Sequence, residues 1–156
     1  MTLIDKTAPS QTEAISFEFD LPHPPEKVWR ALTDPVLLAE WLLPVFEFKL
    51  QPGAAFMFKA PSFPGWDGSV RCQILEIDTH RRLSYAWVVG EMELNTIVTF
   101  TLTPTTSGTR LRLVQAGFTT TQKQNFGGAR YGWKMMGGKL LDVLANVERV
   151  ALPGEA

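Results

Sequence analysis

The sequence predicts an α+β fold, in which a curved antiparallel sheet wraps around one long C-terminal helix and two short helices follow the first strand. Three observations support this fold class. Segments that alternate apolar and polar residues recur at short spacing from residue 14 to residue 118, as in an antiparallel meander. Prolines and an aspartate interrupt a helical pattern between Pro22 and Pro44. Apolar residues then recur at helical spacing from Ala129 to Ala151.

Length and composition fit one globular domain. The chain has 156 residues, of which 45% are hydrophobic and 20% are charged. A net charge of −1 gives no reason to expect nucleic acid as a partner, and no apolar run is long enough to span a membrane. The start, MTLIDKTAPSQTEA, lacks the pattern of a secretory signal, so we expect a cytoplasmic protein. We expect residues 1–13 to form a loose tail and residues 14–152 to form a single domain.

The first strand and the two short helices are predicted over residues 14–42. AISFEFDL alternates apolar and polar residues, which predicts a half-buried strand that ends at Pro22 because proline cannot donate to a sheet. Pro24 and Pro25 suit the first turn of a helix. Asp34 followed by Pro35 ends that helix and caps the next one.

His23 has two possible interpretations. Beside Glu26 it could form an acid/base pair, or it could simply belong to the turn between strand and helix. We favour the turn, because the sequence offers no third group to complete a catalytic triad.

Six further strands are predicted from alternation and turn signals. They are FEFKL (46–50), AFMFKA (55–60), SVRCQILEID (69–78), LSYAWVV (83–89), NTIVTFTLTP (95–104) and TRLRLVQAGF (109–118). Every second residue of a strand points to the same face of the sheet. In these strands the apolar face carries several aromatic side chains, so we expect those side chains to point toward the interior.

The long helix contains glycines that need a physical reason. Each glycine inside a helix costs up to ~1 kcal/mol relative to alanine, yet Gly132, Gly137 and Gly138 lie close together. Gly137 follows Trp133 by one turn on the apolar stripe. It either lets the helix approach the sheet or leaves volume for a ligand, and both interpretations stay open at this point.

The order of these elements is that of the helix-grip fold, and four segments carry a family resemblance. They are LPHPPEKVWRALTDPVLLAEWL (21–42), RLSYAW (82–87), TRLRLVQAGF (109–118) and GWKMMGGKLLDVLANV (132–147). They resemble the START-like (SRPBCC) superfamily, and within it the family of homologues of the heat-shock-protein ATPase activator. The resemblance covers about residues 14–152.

The resemblance implies a sheet curled around the long helix, with an apolar cavity between them. Relatives bind or carry lipids, plant metabolites or polyketide-like rings, some cyclise such rings, and the eukaryotic namesake assists a chaperone. The sequence departs from the family pattern at Gln115, where a histidine is common, which removes a possible acid/base group. It also departs in TTTQKQNFGGARYG (119–132), where a glutamate-rich helix start is usual.

Strand parity and helical spacing aim a set of residues at one internal space, and a loop tryptophan joins them. The predicted ligand-binding residues are Phe56, Phe58, Trp66, Tyr85, Trp87, Gln115, Trp133, Met136 and Gly137. The aromatic members are also compatible with a solid core. The loop APSFPGWDG (60–68) could act as a lid, pack against a second subunit or cap the end of the sheet. We favour lid or interface, and therefore expect a homodimer with this loop near the interface or the cavity mouth.

The predicted function is binding or carriage of a small apolar ligand, ring-containing or lipid-like, without catalysis. Tyr85, Gln115, the indole of Trp87 and the thiol of Cys72 can orient a ligand, but they are poorly suited to proton transfer near neutral pH. No metal-ligand spacing is present, and we expect neither a metal nor a cofactor. Two alternatives remain: a protein-interaction module that assists a chaperone, and a cyclase-like or hydrolase-like enzyme.

Overall fold

The computed structural model of the protein describes residues 2–7, 14–61, 67–89, 94–119 and 123–150. Within these ranges, the chain forms eight strands and three helices. They are β1 (Thr2–Asp5), β2 (Ala14–Leu21), α1 (Pro25–Thr33), α2 (Pro35–Trp41), β3 (Val45–Phe46), β4 (Ala55–Lys59), β5 (Ser69–Asp78), β6 (Arg82–Val89), β7 (Leu94–Pro104), β8 (Thr109–Ala116) and α3 (Lys123–Val150).

The strands form one curved sheet in the order β1-β2-β8-β7-β6-β5-β4-β3, and every neighbouring pair is antiparallel. Registers such as Phe17 opposite Leu113 and Tyr85 opposite Val98 place apolar side chains on the same face. That face is buried, and the long helix α3 lies with α1 and α2 on the core side. The predicted α+β helix-grip fold is confirmed.

The first residues differ from the loose tail that the sequence predicts. Thr2–Asp5 form the edge strand β1, which pairs with β2 so that Leu3 lies opposite Phe19. Leu3 packs against the core, whereas Ile4 points outward and is exposed. A strand of four residues with one inward apolar side chain gives too short an alternation to recognise.

The two short helices begin and end where proline and aspartate predict. Pro25 starts α1 in its first turn, and the Asp34 carboxylate accepts a hydrogen bond from the Val36 N–H at 3.0 Å, which caps α2. The Trp41 indole N–H donates to the Ala31 carbonyl oxygen at 2.8 Å and so fixes α2 against α1.

Strand β3 is shorter than predicted. The sequence predicts a strand over residues 46–50, but β3 covers only Val45–Phe46. Glu47 has a φ of 60°, in the left-handed region, and this turns the chain out of the extended conformation. Phe48 still packs against the core from the segment that follows.

Helix α3 begins at Lys123, earlier than the predicted start at Ala129. Its buried side chains follow helical spacing: Phe126, Trp133, Leu140 and Leu144. A Cβ atom added at Gly137 would lie 2.9 Å from Phe19 Cε2 and 3.2 Å from Leu3 Cδ2. Gly137 therefore allows α3 to approach the sheet closely. None of the described helices is long and apolar enough to cross a membrane.

Candidate functional site

Six aromatic rings from three strands (β4, β6 and β7) and α3 meet between the sheet and the helix. We call them the aromatic cluster, and its members are Phe56, Phe58, Tyr85, Trp87, Phe100 and Trp133. The ring centroids of Phe56 and Tyr85 are 5.1 Å apart, and those of Phe58 and Trp87 are 5.5 Å apart. Trp133 joins from α3, with its centroid 5.4 Å from that of Trp87. These spacings are typical of favourable aromatic contacts.

A chain of three hydrogen bonds links α3 to the sheet beside these rings. The Trp133 indole N–H donates to Gln115 Oε1 at 2.6 Å, and Gln115 Nε2 donates to Thr96 Oγ1 at 2.9 Å. Thr96 Oγ1 in turn donates to the Trp87 carbonyl oxygen at 2.9 Å. Because an indole N–H can only donate, it fixes which end of the Gln115 amide faces the helix.

Both ends of the Gln115 amide are therefore occupied by the protein itself. The residue is 1% exposed and lies on β8 at the position where strand parity predicts an inward side chain. A glutamine suits this place because it presents an acceptor and a donor at once. The geometry gives Gln115 a role in holding α3 against β7 and β8.

The Tyr85 hydroxyl, unlike the Gln115 amide, is not hydrogen-bonded to the described part of the protein. Its oxygen is buried, and Tyr85 as a whole is 1% exposed. Burial raises the pKa of Tyr85 well above 10, and the neighbouring Cys72 thiol adds to this effect. Burial also raises the pKa of the Cys72 thiol far above its ordinary value. Both groups are neutral near pH 7, and Tyr85 keeps an O–H that can donate.

The remaining predicted ligand-binding residues lie outside this cluster or outside the described residues. Met136 is half-buried on α3 and packs against the core. Gly137 faces Phe19 and Leu3 at the β1–β2 side of the sheet. Trp66 and most of the 60–68 loop lie outside the described residues, so the lid and interface interpretations of that loop stay predictions.

His23 lies in the turn that the prolines predict, and it is buried. Its Nδ1 is 3.0 Å from the Lys27 Nζ one helical turn on, and its backbone carbonyl accepts from Thr109 Oγ1 at 2.7 Å. Glu26, the proposed acid/base partner, is exposed on α1. These contacts give His23 a structural role in joining α1 to β8.

The ligand-binding residues predicted from the sequence lack three residues of the site: Phe100 of the aromatic cluster, Thr96 and Phe48. Thr96 lies two positions before Val98 on β7, so its side chain points to the same buried face. The alternation of inward and outward residues along β7 is enough to predict this. Phe48 contacts Phe56 with ring centroids 4.9 Å apart, but it follows the left-handed Glu47 and obeys no strand parity.

Other parts of the described structure bear on a metal site and on a surface contact site. Within the described ranges, no group of three or more histidine, cysteine, aspartate or glutamate side chains is placed to hold a metal ion. A surface groove of about 340 Å³ lies between α1, α2 and the C-terminal half of α3. Its apolar part comes from Val36, Leu37 and Val143, and its charged part comes from Arg30, Asp34 and Glu40.

Comparison with protein families gives a match over most of the chain. The family described as Activator of Hsp90 ATPase homolog 1-like protein matches residues 22–145. No protein of curated function matches the sequence significantly.

Solved structures show the same fold. Protein MLL2253 from Mesorhizobium loti is 39% identical, with a TM-score of 0.79 over 85% of this chain and 97% of that chain. Protein CV1439 from Chromobacterium violaceum is 28% identical, with a TM-score of 0.69 over 85% of this chain and 96% of that chain. CalU16 from Micromonospora echinospora is 24% identical, with a TM-score of 0.71 over 99% of this chain and 90% of that chain, and it supports the fold alone.

Proposed function

The chain belongs to the family of Activator of Hsp90 ATPase homolog 1-like proteins, within the START-like superfamily, and from that premise we propose that it binds a small apolar, ring-containing ligand between the sheet and α3. The observation that carries the proposal is the aromatic cluster. Strand parity and helical spacing predict five of its members as ligand-binding residues, and their rings lie in mutual contact.

Ring contacts favour a ring-containing ligand. Aromatic rings pack favourably edge to face, as Phe56 and Tyr85 do at an interplanar angle of 79°, so a ligand that enters the aromatic cluster would gain most from a ring of its own. Apolar burial stabilises a bound ligand by about 25 cal/mol per Å² removed from water, so a ring system of drug size can reach micromolar affinity with few hydrogen bonds.

The electrostatics favour binding over catalysis. General acid/base catalysis needs a group that exchanges protons near the working pH. Tyr85 and Cys72, the titratable groups described at the aromatic cluster, both have raised pKa values and stay protonated near neutral pH. Such groups donate hydrogen bonds without transferring a proton.

The proposal is tested by titration with a flavonoid, a sterol and a fatty acid, with tryptophan fluorescence and thermal unfolding as readouts. A ligand at 100 times its dissociation constant stabilises the folded protein by about 2.7 kcal/mol, which raises the unfolding temperature by several degrees. Quenching should shrink in Trp133→Phe, because Trp133 belongs to the aromatic cluster. It should persist in Trp29→Phe, because Trp29 lies on α1 against His80. If none of the three compounds changes either readout, the binding proposal fails.

The family description favours a second candidate, assistance to a chaperone. A protein partner needs an exposed contact surface, and the groove between α1, α2 and α3 provides one, with Val36 70% exposed at its edge. Addition of the purified chain to an Hsp90 ATPase assay tests this function. Stimulation that is lost in Val36→Asp, with no ligand effect in the titrations, would favour the chaperone role.

A further inference from the structure

The polar groups between the sheet and α3 differ in whether the protein itself satisfies them. Gln115, Thr96 and the indole of Trp133 all donate or accept within the protein. The Tyr85 hydroxyl has no protein partner in the part of the chain that the structure describes, although Tyr85 is 1% exposed. Three rings surround the Tyr85 ring with centroid distances of 5.1–6.2 Å, those of Phe56, Phe58 and Phe100.

An unpartnered phenol in such a place destabilises the unliganded protein. Buried tyrosine hydroxyls usually find a partner, and a buried donor left without one is unfavourable compared with an apolar ring of the same shape. Phenylalanine would fill the same space without this penalty. The hydroxyl therefore has the properties of a group that is satisfied by a bound molecule.

We propose that the ligand of the aromatic cluster carries a neutral hydrogen-bond acceptor on its ring system, such as a carbonyl oxygen, and that Tyr85 Oη donates to it. This inference rests on the proposed function and names the ligand class. The acceptor is neutral because the buried polar side chains among the described residues include no lysine or arginine to balance an anion. The raised pKa of Tyr85 keeps its proton in place, so its buried O–H is a donor that a ligand acceptor would satisfy.

Two probes of nearly equal shape test the proposal, 9-fluorenone with its carbonyl and fluorene without it. Equilibrium dialysis gives both dissociation constants for the wild type, Tyr85→Phe and Tyr131→Phe. The ratio of the fluorenone affinity to the fluorene affinity should fall about tenfold in Tyr85→Phe, because one neutral hydrogen bond is lost. Tyr131→Phe should leave the ratio unchanged, because Tyr131 is 65% exposed on the outer side of α3.

The thermal stability of the unliganded variants gives an independent readout. Tyr85→Phe should unfold at the wild-type temperature or above it, because it removes a buried group without a partner. A fall of several degrees would show that the hydroxyl is already satisfied in the unliganded protein, for example by a buried water, and would overturn the inference. An affinity ratio that Tyr85→Phe leaves unchanged would also overturn it, while the proposed function would stand. If the flavonoid, the sterol or the fatty acid binds the wild type but neither fluorene nor fluorenone does, the inference fails and the proposed function stands. If none of the five compounds binds, both fail.

Discussion

Substitution by alanine should change the stability of the protein in opposite directions at two adjacent glycines of α3, Gly137 and Gly138. Gly138→Ala adds a Cβ that has no neighbour within 4 Å among the described residues, so the variant gains the helix propensity of alanine, up to ~1 kcal/mol. Gly137→Ala has the same propensity gain, but its Cβ would lie 2.9 Å from Phe19 Cε2 and 3.1 Å from Phe19 Cζ. Phe19 is 2% exposed and has Leu3 and Leu111 as its cross-strand neighbours, so its ring has little room to move away.

Overpacking of this kind costs about 1–3 kcal/mol, which exceeds the propensity gain. We expect Gly137→Ala to be less stable than the wild type. Its free energy of unfolding should be about 2 kcal/mol lower than that of Gly138→Ala. For a chain of this size, ~2 kcal/mol corresponds to about 4–8 °C in the unfolding temperature, which circular dichroism measures easily. If both variants gained equal stability, the helix would not approach the sheet at Gly137 as closely as the structure shows.

Two other predictions concern hydrogen bonds and charge. Gln115→Leu should destabilise the protein by about 1–3 kcal/mol, because it leaves the Trp133 N–H buried without an acceptor; in urea unfolding, Gln115→Leu combined with Trp133→Phe should lose less than the sum of the single losses. Burial acts to raise the pKa of Asp5. Hydrogen bonds from Arg130 and Thr7, together with the Arg130 charge, outweigh this effect and leave the pKa below its ordinary value of 3.8. The stabilisation by the carboxylate is therefore complete above about pH 4 and is lost as the pH falls through the lower folded pKa. The stability difference between wild type and Asp5→Asn should shrink below pH 4, and a difference that stays constant down to pH 2 would contradict this.

Local patterns were enough to predict most of the fold. Alternation along β2, β6 and β8 predicts the buried faces correctly, because the side-chain period of a strand is fixed by its backbone. Proline and aspartate likewise predict α1 and α2, since their effects act within one turn. The sequence predicts the start of α3 at Ala129 instead of Lys123, because Gly127 and Gly128 weaken the helical pattern before Ala129.

The part of the site that could not be predicted depends on contacts across the sheet. Gln115 and Thr96 are 19 residues apart, and their hydrogen bond exists because β7 and β8 are neighbours in the sheet. The sequence predicts that Gln115 points inward, but only the positions of Trp133 and Thr96 show that both ends of its amide are hydrogen-bonded within the protein. The sequence also left Gly137 open between two roles, and the distance to Phe19 decides for close approach.

The hydrogen bonds of Gln115 and the unpartnered hydroxyl of Tyr85 imply different effects on binding. Gln115 holds α3 against the sheet, so its loss should change the width of the space between them for any ligand. Gln115→Leu should therefore weaken fluorene and fluorenone in parallel, by a similar factor for each. Tyr85 keeps its ring contacts in Tyr85→Phe and loses only the oxygen, so that variant should change the ratio of the two affinities. A change in the ratio in Gln115→Leu, measured by the same equilibrium dialysis, would mean that the amide turns toward the ligand and that its bonds to Thr96 and Trp133 are exchanged on binding.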